Sequence, residues 1–140
     1  MLDKKDLMIL EQLQKDSRMT VKEIGKKTGI RPSTVHKRIL RLKETNVIRK
    51  FSVKVDDKAI EENFAVIMMV KTKPSVLLDE SVLKSRHIKE VYGITGEYDL
   101  LMKLKFRDVE EFNTFIIRFR KEQNIVNTLT FVVTARVKED

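Results

Sequence analysis

Apolar residues recur at helical spacing through the first part of the chain and change to strict alternation further on. Leu7, Leu10 and Leu13, with Ile9 beside them, predict a helix from Asp3 or Lys4 to about Lys15. Asp3 is its expected N-cap, and Asp6 adds negative charge to the first turn. Asp16-Ser17-Arg18 ends it. Thr20 followed by Glu23 has capping-box spacing and opens a second helix, which buries Val21 and Ile24 and stops at Gly29. Gly25 is expected where a side chain would hold two crossing helices apart. Pro32 suits the first position of a third helix. Arg31 is then the N-cap, with Ser33 as the alternative one turn on. Stepping about 100 degrees per residue puts Ile39 and Leu42 within about 40 degrees of Val35, a buried stripe. Ser33, Thr34, Lys37 and Arg41 fall on the far side, His36 and Arg38 flank it, and Leu40 projects outward.

Beyond Asn46 the period changes. Phe51, Val53 and Val55 alternate with Ser52 and Lys54, so residues 48–55 predict a strand, serving as a wing or as an arm to the next domain. Residues 56–63 form a polar, charged connector. The remainder predicts strand 64–70, helix 78–85, strand 87–95, a turn at Gly96-Glu97-Tyr98-Asp99, strand 100–106, helix 108–121 and a last strand. In that last strand Leu129, Phe131, Val133, Ala135 and Val137 alternate. The helix 108–121 carries Val109, Phe112, Ile116 and Phe119 on one face. This order is that of a ferredoxin-like βαββαβ unit. The expected fold class is therefore α+β, with a (winged) helix-turn-helix domain at 1–55, a linker at 56–63 and the ferredoxin-like domain at 64–140.

Counting faces yields a further expectation. Two helices cover one side of a four-stranded sheet, yet strand 64–70 is apolar on both sides, and Leu101 and Val132 are expected to add to the second side. An uncovered apolar face is unusual on a monomer, which predicts homodimerisation through the sheet.

Charge sharpens the picture. Residues 1–55 hold 15 Lys and Arg against 6 Asp and Glu, a net of +9; residues 56–140 hold 14 against 15, a net of −1. The whole excess thus sits on the first 55 residues, the segment that carries the two helices joined by a glycine turn, as in the footprint of a helix-turn-helix on duplex DNA rather than evenly spread solubilising charge. The absence of cysteine excludes disulfides, thiolate metal sites and thiol nucleophiles. The longest apolar run, Phe64 to Val70, is too short to span a bilayer, and no signal-like segment opens the chain, so a cytoplasmic location is expected.

Three stretches together resemble the Lrp/AsnC, or feast/famine, family of prokaryotic transcription regulators. Leu2-Asp3, Asp6, Ile9-Leu10, Leu13-Gln14 and Asp16-Ser17-Arg18 resemble its first helix. Ile24-Gly25, Thr28-Gly29-Ile30, Ser33-Thr34-Val35, Arg38-Ile39, Arg41-Leu42-Lys43 and Val47-Ile48 resemble its helix-turn-helix. Thr95-Gly96-Glu97-Tyr98-Asp99 resembles a turn of its effector and assembly domain. Asn46 departs from a usual glycine, at little cost because Asn tolerates the left-handed conformation, and Arg31 departs from a usual serine. The resemblance implies homodimers built on the C-terminal sheets, often assembled into tetramers or octamers. It also implies an amino acid or similar small molecule as effector, with Gly96, Tyr98 and Asp99 as candidate binding residues. Asp99 suits an ammonium and N–H groups around Gly96 suit a carboxylate; the same residues are also good hairpin chemistry that needs no ligand.

For DNA, Ser33, Thr34, His36 and Lys37 are candidates for base edges. Arg38, Arg41, Arg49 and Lys50 are candidates for phosphates. Arg38 has a competing role as a structural ion pair, and His36 one as an exposed bystander. Two other functions are alternatives: a sequence-tolerant, chromatin-like packaging protein, and an enzyme of the tetrapyrrole decarboxylase type that shares this architecture. The histidines are His36 and His87 alone, with His87 expected to cap a strand or face solvent. No metal spacing, nucleophile–base pair or phosphate-cradling loop is present, so neither catalysis nor a cofactor is expected.

Overall fold

The computed structural model describes residues 1–74, 78–123 and 125–139. The chain divides into two compact units, Met1–Lys54 and Val55–Asp140.

The first unit holds three helices: α1 (Lys4–Lys15), α2 (Val21–Thr28) and α3 (Pro32–Glu44). Asp3 caps α1 in a full capping box, since its carboxylate accepts the Asp6 N–H and the Asp6 carboxylate accepts the Asp3 N–H. The expected leucine stripe needs correction. Ile9 and Leu13 are buried whereas Leu7 is exposed. Helical geometry explains it: Leu7 lies about 160 degrees around the helix from Ile9, while Leu13 lies about 40 degrees away.

The Thr20 hydroxyl accepts the Glu23 N–H at 3.1 Å, so one half of the expected capping box forms, and Ile24 is fully buried beneath it. Gly29 ends α2 in the left-handed conformation at φ 75°. Arg31 is the N-cap of α3, and no side chain caps it; Pro32 at the first position removes one of the unmet donors. Val35 and Leu42 are buried and Ile39 half-buried, as the stripe predicts. Ile9, Leu13, Ile24, Ile30 and Val35 form one core. Asn46 adopts φ 62°, and the Val47 N–H reaches back to the Leu42 carbonyl at 2.9 Å, closing α3 with the bond a glycine usually supports.

Residues 48–55 form no strand, which corrects the expected wing. Phe51, Val53 and Val55 are exposed, and among the described residues no backbone ladder pairs this segment. Alternation alone does not make a strand where no partner edge lies beside it. Its observed ties are the Ser17 hydroxyl on the Ser52 carbonyl at 3.0 Å and Lys43 over the Phe51 ring.

The second unit is a four-stranded antiparallel sheet with helices: β1 (Phe64–Thr72), α4 (Glu80–Leu83), β2 (Ile88–Gly93), β3 (Leu100–Phe106), α5 (Val109–Glu122) and β4 (Ile125–Val132). The strand order is β2-β3-β1-β4, the ferredoxin-like arrangement expected. Val66, Met68 and Val70 of β1 pack with Met102, Leu104 and Phe106 of β3 against Phe112, Ile116 and Phe119 of α5. Val109, expected on that face, is exposed. Asp108 caps α5 by accepting the Glu111 N–H at 2.8 Å. The helix expected at 78–85 is the shorter α4.

Two sequence expectations about β4 are overturned by register. The strand begins at Ile125 and ends at Val132; the register with β1, which starts at Phe64, leaves 135–137 no residues of that strand to pair with. Val132 stands opposite Val66, whose side chain faces the helices, so Val132 does not belong to the open face. That face instead holds Ile67, Met69, Leu101, Tyr92, Leu129 and Phe131, by the pairings Ile67 to Phe131, Met69 to Leu129 and Leu101, and Leu101 to Tyr92. Leu129, Phe131 and Tyr92 are exposed there.

The segment before β1 is folded back by ion pairs: Asp57 meets Lys105 and Arg136, each at 2.8 Å, and Glu62 meets Lys89 at 2.8 Å. Among the described residues no helix is long and apolar enough to cross a membrane.

Candidate nucleic-acid interface

The buried stripe of α3 fixes which of its residues reach outward. Ser33, His36, Lys37 and Arg41 are exposed and Thr34 half-buried; Arg49 and Lys50 after the helix are exposed as well. Among the described residues no carboxylate pairs with Lys37, Arg49 or Lys50. These cations are free to meet an anion. Lys26 and Lys27 at the end of α2, and Arg31 in the turn, are exposed too and extend the basic surface beyond the residues singled out from sequence.

Arg38 is different. Its Nη1 donates to both Asp3 carboxylate oxygens, at 2.6 and 2.5 Å, and to Asp6 Oδ1 at 3.1 Å. Its side chain is only 21% exposed. Arg41, one turn on, donates from Nη2 to Asp6 Oδ2 at 2.8 Å while its side chain stays 57% exposed. The Asp6 carboxylate between them is fully buried. For Arg38 this geometry carries the structural ion pair rather than the phosphate contact. The Arg38 hydrogen bond, aided by the Asp6 N–H, holds the Asp3 carboxyl at about 2, below its ordinary 3.8.

Sequence reasoning missed Asp6 as a partner of α3. Its signal was present: Asp6 lies three residues before Ile9 and so shares the face of α1 that packs inward. A carboxylate on a core-facing stripe needs a cation from elsewhere in the fold.

The turn carrying Gly96, Tyr98 and Asp99 joins β2 to β3. Gly96 has φ 117° and open space beside it. Tyr98 is half-buried. Asp99 Oδ2 accepts from the Thr72 N–H at 2.8 Å and lies 3.3 Å from its hydroxyl, while the Asp99 backbone bonds to Val70 and Ile94. Part of the carboxylate therefore staples the hairpin to the end of β1. None of the three lines the cavity of about 660 Å³ beside α4 and α5, whose wall includes Val82, His87, Phe115 and Phe119. Of the two places expected for His87, at the cap of a strand or facing solvent, the second is not the one observed. His87 stacks on Phe106 at 4.7 Å and its Nδ1 lies 3.0 Å from the Lys105 carbonyl, because the chain entering β2 folds it onto the aromatic core.

Known proteins agree with this arrangement. Residues 2–49 match a family of winged helix-turn-helix DNA-binding domains, and residues 65–140 match the Lrp/AsnC ligand binding domain. The HTH-type transcriptional regulator FL11 of Pyrococcus furiosus is 36% identical over 140 residues, covering 99% of this chain and 93% of its own; its Pyrococcus abyssi counterpart is 34% identical with the same coverage. Among solved structures, Bacillus subtilis LrpC superposes with a TM-score of 0.89 at 25% identity, covering 100% of this chain and 99% of its own. A Neisseria meningitidis transcriptional regulator in complex with L-Met shares the fold, with a TM-score of 0.89 at 21% identity over 99% of this chain and 94% of its own. These relatives are regulators of transcription and not enzymes. A cationic three-helix head followed by an antiparallel ligand-binding sheet domain, matched from end to end, makes this chain a member of the Lrp/AsnC family of HTH-type transcriptional regulators.

Proposed function

We propose that this regulator acts in the cytoplasm as a homodimer or larger assembly that reads a specific, two-fold-related DNA site and responds to an amino acid or related metabolite. The observation that carries the reading is the outward side of α3. Ser33, His36 and Lys37 are exposed near the helix start, with no carboxylate on Lys37 among the described residues, while Val35 and Leu42 anchor the opposite side. A helix so anchored presents its first turns to the major groove. Ser33, Thr34, His36 and Lys37 then address base edges, and Arg41, Arg49 and Lys50 address phosphates. The uncovered sheet face, with Ile67 opposite Phe131, supports pairing of two copies. Two heads then meet half-sites about one helical turn apart, or a multiple of it.

For the effector, the family match over residues 65–140 supports ligand binding, and a fold relative was crystallised with L-Met. Gly96, Tyr98 and Asp99 are the residues proposed to take part. Asp99 Oδ1 accepts no hydrogen bond among the described residues and is available to an ammonium.

Selection of binding sites from a random duplex pool, with and without amino acids, tests this. The expected result is enrichment of a two-fold-symmetric sequence whose retention changes with one amino acid. Retention of DNA without any enriched sequence would identify a sequence-tolerant packaging protein instead.

A further inference from the structure

We propose that Asp6 is the positioning residue of the DNA-reading helix: it fixes Arg41 as a phosphate contact and, with Asp3, withdraws Arg38 from the DNA. This rests on the reading of α3 as the DNA-contacting helix. Four charged groups from opposite ends of the first unit form one network. Asp6 Oδ2 takes the Asp3 N–H at 3.2 Å and Arg41 Nη2 at 2.8 Å; Asp6 Oδ1 takes Arg38 Nη1 at 3.1 Å; Asp3 closes on the same Nη1 at 2.5 Å.

The two arginines fare differently within it. Arg38 meets two carboxylates through three contacts, all from Nη1, and its side chain is only 21% exposed. Arg41 gives one donor to Asp6 and remains 57% exposed, so the rest of its planar fork is available. A long cationic side chain normally gives up rotamer freedom when it grips a phosphate. Anchored at one nitrogen by a fully buried carboxylate, Arg41 has given up much of that freedom before DNA arrives. The same carboxylates neutralise Arg38, so each head offers fewer cations to the backbone than its sequence counts.

Salt dependence separates the roles, because each phosphate neutralised contributes about 0.9 to the log–log slope. In a dimer, Arg41→Ala should shrink that slope by about 2 and weaken binding about tenfold at 0.1 M salt, whereas Arg38→Ala should leave the slope within about 0.5 of wild type. Asp6→Asn should weaken binding about threefold, and in an Arg41→Ala background it should add no further loss. A merely structural Asp6 would weaken both backgrounds alike, and that multiplicative result overturns the proposal. Equal slope changes for Arg38→Ala and Arg41→Ala overturn it too, a comparison that stands even if Asp6→Asn does not fold. Wild-type protein that ignores duplex DNA would instead defeat the underlying DNA reading.

Discussion

Phe131 of β4 lies directly across from Ile67 of β1, on the side of the sheet away from α5, and half of its surface is exposed. Leu129 and Tyr92 extend this open face, with Ile67, Met69 and Leu101 between them. Phe131→Asp places a charge in its middle. Wild-type protein should sediment as a dimer or larger at micromolar concentration, and Phe131→Asp should weaken association at least tenfold by about the loss of one aromatic anchor. A wild-type monomer at that concentration would remove the sheet-to-sheet account.

Acid acts on the first unit through Asp3. Arg38 depresses the folded-state pKa of this carboxyl from 3.8 to about 2. A depressed pKa means the unfolded chain binds the proton more readily. The stabilisation is therefore complete above about pH 4 and is lost as pH falls toward 2. Glu90 and Asp108 are shifted the same way, the first by the Tyr92 hydroxyl and the second by the Glu111 N–H, so wild type alone does not isolate Asp3. Thermal melts of Asp3→Asn against wild type do: the variant should lose less of its midpoint across that window. Parallel curves would show that the ion pair carries no such weight.

Gly25 has no room for a methyl group. A Cβ there would sit 2.8 Å from the Ile30 carbonyl oxygen and 3.3 Å from Pro32 Cγ, atoms of the turn between α2 and α3. The carbonyl is backbone and cannot swing aside. Gly25→Ala should destabilise by about 1–2 kcal/mol, strain of about 2–3 partly offset by the helix preference of alanine. Urea unfolding monitored by helix content checks it, and a midpoint at or above wild type would contradict the tight crossing.

Much of the first unit was legible because its signals are local. Thr20 before α2, Gly29 after it, Pro32 opening α3 and Asn46 closing it each act on their own backbone within a few residues. The faces of β4 were not, because they depend on a partner: the register with β1 puts Val132 beside Val66 and turns Phe131 to the open side. The same holds for 48–55, which alternates well but has no edge to join. The α1 stripe failed on a smaller point, since the packed face runs through Asp6, Ile9 and Leu13 and Leu7 lies about 160 degrees from Ile9. The Asp6–Arg41 bond joins residues 35 apart in sequence, and only packing of α1 against α3 creates it. Asp99 was legible as turn chemistry, while its bond to Thr72 required knowing which strand end lay beside the turn.

Lys37 and Arg41 should separate base reading from backbone grip. Lys37 is exposed near the start of α3 and Arg41 one turn later, anchored on Asp6. Lys37→Ala should weaken a selected site by about 1–3 kcal/mol and random DNA by less, whereas Arg41→Ala should weaken both similarly. Competition binding on the two duplexes measures this; equal losses for both variants on both targets would contradict the assigned roles.

The most direct measurement is fluorescence anisotropy of a labelled duplex, titrated with the full-length protein across a salt series. A cationic reading head carried in two copies predicts saturable binding in dilute buffer that weakens steeply with salt, with a log–log slope of roughly −4 to −8. Protein that leaves the duplex unbound even at the lowest salt would contradict the account at its base.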